Sequence, residues 1–83
     1  MDKEEVIYWK ERLADYSKRN QKVTATIKRF DKGRIEFHNG YINKVMKKTF
    51  EIISKTYGIK VLAIEFIREL VPIEPLSLKW VRK

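Results

Sequence analysis

The chain contains no cysteine, so neither a disulfide nor a thiolate metal centre can stabilise it. It contains one histidine, His38, and no cluster of carboxylates at metal-ligand spacing. Glycine is scarce. Gly33, Gly40 and Gly58 stand apart, which excludes a glycine-rich loop able to cradle a phosphate. Asp31 and Glu36 flank a turn and read as ion-pair partners of Lys32 and Arg34 rather than as a nuclease centre. Catalysis is therefore not expected, and no cofactor or metal is implied. Long apolar runs are missing too. The longest covers residues 61–64, far short of a membrane span. The opening Met1-Asp2-Lys3-Glu4-Glu5 is not a basic region followed by an apolar one, so no signal peptide is read and a cytoplasmic location is expected.

What remains is compatible with one folded unit. Eighty-three residues with 43% hydrophobic content, ten of them isoleucine, suffice for one modest core. Residues 1–83 are read as a single compact basic α+β domain. Abundant Lys, Glu and Ile with a single Gln also suit a thermophile-like composition.

Residues 2–20 read as a helix. Asp2 is positioned as N-cap with Glu5 three residues on, and Val6, Trp9, Leu13 and Tyr16 form one stripe. That stripe serves either the core or a short dimer seam. Residues 22–30 alternate, with Val23, Ala25 and Ile27 on one face. Asp31-Lys32-Gly33 then suits a hairpin loop, with residues 34–38 as the return strand. In that strand Ile35 and Phe37 lie on one face, and Arg34, Glu36 and His38 on the other. Ile42, Met46, Thr49, Phe50, Ile53 and Tyr57 recur at helical spacing up to Gly58, predicting a second helix. Residues 59–71 are ambiguous between strand and helix and are read as a strand, followed by a loop through Pro75 and a last strand carrying Leu76, Leu78 and Trp80. The expected fold is α+β in the order α-β-β-α-β-β, with two helices packed on a mainly antiparallel sheet. The junction Tyr57-Gly58-Ile59-Lys60-Val61 lacks the Gly-x-x-Gly of a KH domain. Read as a helix-turn-helix, it would present Val61, Leu62, Glu65 and Phe66, which are poorly suited to a DNA groove.

Charge is the most informative property. Nineteen basic against eleven acidic residues give a net charge of +8. Residues 1–21 are neutral, while 22–40 and 41–58 each carry +3. Two basic surfaces follow. One is the hairpin with Lys22, Lys28, Arg29, Lys32 and Arg34. The other is the polar face of the expected second helix, with Lys44, Lys47, Lys48 and Lys55. Both suit phosphate contacts, and both also suit an ordinary solvated surface. Phe30, Tyr41, Trp80 and Tyr8 are candidates for stacking on bases. The expected function is non-catalytic binding of DNA or RNA through these nine cations, with weak sequence preference. The rival expectation is a protein-interaction module, a regulator or inhibitor docking on an acidic protein partner, alone or as a homodimer. A membrane partner is not expected.

Overall fold

The computed structural model describes residues 2–29 and 32–73. Its elements are a helix α1 (Lys3–Lys18), strands β1 (Lys22–Arg29), β2 (Arg34–Val45), β3 (Thr49–Ser54) and β4 (Gly58–Ala63), a single 3-10 turn (Ile64–Phe66) and strand β5 (Ile67–Pro72). The strands form one antiparallel sheet in the order β4-β3-β2-β1-β5. Among the described residues the architecture is one helix and five strands, not two helices in the order α-β-β-α-β-β.

The helix forms where its caps and stripe place it. The Asp2 carboxylate accepts a hydrogen bond from the Glu5 amide at 2.9 Å, satisfying one of the unpaired first-turn donors. At the other end Asn20 adopts φ 54°. The Gln21 amide then reaches the Tyr16 carbonyl at 3.0 Å and the Asn20 amide reaches that of Ser17 at 3.1 Å, a Schellman closure. Leu13 and Tyr16 are buried, and Val6 and Trp9 pack against the core more loosely. The stripe is thus spent on the core of the same chain.

The expected helix over residues 41–57 is instead the second half of β2, a turn at Lys47-Lys48, all of β3, and the turn into β4. The Met46 amide bonds to the Thr49 carbonyl at 2.8 Å and closes the hairpin. Two irregularities imitate helical spacing here. The β2–β3 register slips between Ile42 and Lys44, leaving Asn43 bulged, and the turn then resets the alternation. Strict alternation is broken twice, and inward Ile42 and Phe50 fall at spacings that resemble helical turns.

Residues 59–71 are not one strand but two, β4 and β5, joined by the 3-10 turn. β4 pairs with β3, and β5 with β1. The expected loop from residue 71 is likewise corrected, because Val71 and Pro72 continue β5. The last strand expected at Leu76, Leu78 and Trp80 falls outside the described residues, as does Phe30.

β2 holds the sheet together. Residues 34–41 pair with β1, residues 41, 42, 44 and 45 pair with β3, and only Tyr41 is paired on both sides. At this changeover Gly40 lies directly against the Ile53 backbone, where any Cβ would collide with the carbonyl. Glycine is needed here for close approach. The inward residues Val23, Ala25, Ile27, Phe50, Ile52, Ile67 and Leu70 meet Leu13 and Tyr16 of the helix in one core.

Candidate nucleic-acid interface

The face of the sheet turned away from α1 is built by register. In the β1–β2 ribbon Lys22 lies opposite Tyr41, Thr24 opposite Asn39, Thr26 opposite Phe37 and Lys28 opposite Ile35. Because Val23, Ala25 and Ile27 face the core, these residues face outward. Phe37 is 69% exposed in the middle of a strand, Ile35 is 54% exposed and Tyr41 39%. The division of this strand into two faces, Ile35 and Phe37 against Arg34, Glu36 and His38, is the one the register shows. Ile35 and Phe37 point to solvent, whereas Glu36 and His38 lie on the inner side with Ala25 and Ile27.

The inner side at this end of the ribbon is a charged cluster. His38 Nε2 is 3.1 Å from Glu36 Oε1, and its side chain is 13% exposed. Arg34 donates to Glu36 Oε2 through Nε at 3.1 Å and lies 3.0 Å from it through Nη2. Arg29 Nη1 lies 3.9 Å from the other carboxylate oxygen, and its guanidinium also lies over the Phe66 ring. The hydrogen bond with His38 holds the Glu36 carboxyl below its ordinary range. Partial burial opposes this, and Arg34 reinforces it. Arg29 and Arg34, two of the five hairpin cations, are thus directed at Glu36.

The other predicted cations separate into distinct places. Lys22 and Lys28 belong to the outer face, and Lys32 is exposed in the turn. Lys44 is exposed near the end of β2, opposite Glu51. Lys47 and Lys48 form the β2–β3 turn, while Lys55 sits in the β3–β4 turn at the far end of β3. Six strand residues separate Lys48 from Lys55, roughly 20 Å of extended chain. The basic helix face does not exist, and its four lysines do not converge on one surface.

Among the stacking candidates, Tyr41 lies on the outer face. Tyr8 is 52% exposed but packs edge-on against Trp9 at 5.0 Å and receives a hydrogen bond from Arg12. Trp80 lies outside the described residues. Phe37 was missed because its face depends on the register across the hairpin. A four-residue connection between Arg29 and Arg34 places Ile27 opposite Glu36 and therefore sends Phe37 outward with Thr26. Among the described residues no group of three or more His, Cys, Asp or Glu side chains is arranged to hold a metal ion, and no helix is long and apolar enough to cross a membrane. Neither a protein-family model nor a curated protein sequence matches the chain.

Proposed function

We propose that the chain binds single-stranded nucleic acid, without catalysis, on the outer face of the β1–β2 ribbon. The observation that carries this reading is Phe37, an aromatic ring 69% exposed on a regular strand, where a solvated sheet face would ordinarily carry a polar side chain. Tyr41 lies four residues along the same face, roughly 13 Å away. Between and beside them stand Thr24, Thr26 and Asn39, with Lys22 and Lys28 flanking and Lys44 further along β2. Exposed rings supply base stacking that tolerates any sequence, and the lysines supply phosphate contacts. A net charge of +8 adds long-range attraction for a polyanion.

Fluorescence anisotropy with labelled oligothymidylate and with a duplex of equal length tests this reading. Tighter binding of the single strand is expected. Three lysine–phosphate contacts give a log–log salt slope of about −2. Equal affinity for duplex and single strand would remove the stacking part of the proposal, and no binding at low salt would remove all of it.

One observation favours the protein-interaction reading. Among the described residues β4 is at the edge of the sheet, and its Ile59 and Val61 are 59% and 58% exposed, with Tyr41, Ile53 and Ile59 in one cross-strand row. An apolar edge strand favours pairing with another chain. Sedimentation that stays monomeric across a hundredfold concentration range would count against self-association.

A further inference from the structure

A second surface, distant in character from the ribbon, lies between the first two turns of α1 and the β2–β3 turn. It is a cleft of about 690 Å³, within the range of small-molecule sites. Val6 and Ile7 of the helix, Ala63 at the end of β4 and Ile64 of the 3-10 turn supply apolar walls. Ile7 is 56% exposed beside it, so an apolar helix residue remains without cover at the mouth. Four lysines line the same cleft: Lys3 and Lys10 from the helix, Lys47 and Lys48 from the turn. Asp2 and Glu65 are its acidic lining residues, and Asp2 is engaged in capping the helix. The neutral helix therefore adds two cations to a basic turn, a convergence that segment charges conceal.

Lys10 Nζ donates to the Lys47 carbonyl at 3.4 Å, linking the two walls, and one turn further Leu13 is fully buried. The opposite wall is fixed by the Ile64 amide, which donates to the Lys48 carbonyl at 2.9 Å. Apolar walls lined by four lysines against two carboxylates suit a short apolar chain with one anionic head. A nucleic-acid strand, polar along its whole backbone, does not match these walls.

We propose that this cleft binds an anionic amphiphile, an acyl chain whose carboxylate is held by the lysine rim while its tail lies against Val6, Ile7 and Ile64. The test is a titration of isotope-labelled protein with sodium dodecanoate below its micelle concentration, followed by methyl and amide NMR. Saturable shifts confined to Val6, Ile7, Ala63 and Ile64 and their neighbours are expected. Dodecanol, with the same tail and no charge, binds several-fold more weakly. Lys3→Gln with Lys48→Gln, both exposed positions, weakens dodecanoate by roughly threefold to tenfold and leaves dodecanol unchanged. Ile7→Ser weakens both. Urea unfolding of each variant confirms that the fold is retained. Shifts that do not saturate, or that spread over the outer face around Phe37, overturn the proposal. So does equal affinity for dodecanoate and dodecanol.

Discussion

Arg12 of the helix donates through Nη2 to the backbone carbonyl of Leu70 in β5 at 2.8 Å. The same nitrogen reaches the Tyr16 hydroxyl at 2.8 Å, and Nη1 reaches that of Tyr8 at 3.2 Å. Its guanidinium also lies 5.4 to 5.7 Å from the ring centres of Tyr8, Trp9 and Tyr16. One side chain thus joins the helix to the strand that completes the sheet. Arg12→Ala should cost about 1.5–3 kcal/mol, since it removes charged hydrogen bonds and leaves a partly buried carbonyl unpaired. Arg12→Lys should recover only part of this, because an ammonium lacks the planar fork. Urea unfolding followed by tryptophan fluorescence checks both. A loss below about 0.5 kcal/mol for Ala would show that the bond is dispensable.

Gly40 should be the least replaceable of the three glycines. Gly33 in the β1–β2 turn and Gly58 at the start of β4 sit at φ 61° and 73° with open space around them, so alanine there meets only backbone strain of about 1–2 kcal/mol. Alanine at Gly40 must displace the Ile53 backbone and with it the β2–β3 pairing. Its unfolding midpoint should fall well below those of Gly33→Ala and Gly58→Ala, and equal midpoints for all three would contradict the close approach.

Glu36 should contribute a pH-dependent share of stability. Its carboxyl is held below the ordinary 4.5 by the hydrogen bond with His38 and then by Arg34, against partial burial. A carboxyl depressed in the folded state stabilises the fold fully above its unfolded pKa, and that share disappears as pH falls through the lower folded value. The stability gap between wild type and Glu36→Gln should therefore narrow on acidification below about 4.3. Denaturation series from pH 7 to 3 read this directly, and a gap that does not narrow would exclude the linkage.

The helix and the first hairpin were legible because their signals are local. Asp2 with Glu5, the stripe ending at Tyr16, and Gly33 in the turn act within a few residues of one another. The segment from Tyr41 to Gly58 was not legible. Its apolar spacing reflects a bulge at Asn43 and a turn at Lys47-Lys48, and neither has a sharp sequence mark. Thr49, Ile52 and Ile53 carried the contrary signal, since branched side chains suit a pleated strand better than a helix. The nine candidate cations were identifiable as residues but not as a surface. Their grouping depends on register and on which turn each occupies, so Arg29 and Arg34 end on Glu36 while Lys47 and Lys48 meet Lys3 and Lys10.

Phe37→Ser separates function from folding. With 69% of the residue in solvent, the substitution should change unfolding free energy by no more than about 0.5 kcal/mol. Single-strand affinity should fall by about 1–3 kcal/mol, on the order of five- to a hundredfold. Unchanged affinity for oligothymidylate would remove Phe37 from the interface, and marked destabilisation would show that the ring supports the fold.

The pairing of β1 with β5 joins segments that lie far apart in the chain. Hairpins β1–β2, β2–β3 and β3–β4 join neighbours in sequence, but Ala25 meets Leu70, and Ile27 meets Ile67. In chain order β1 precedes its lateral partner β5 by the whole β2–β3–β4 meander. Closing that loop has an entropic cost before any of its contacts form. A nascent chain halted ahead of Ile67 therefore holds Val23, Ala25 and Ile27 without their partner strand and the helix without its Leu70 anchor. The helix precedes the sheet in the chain, yet its Arg12 anchor exists only once β5 is in place.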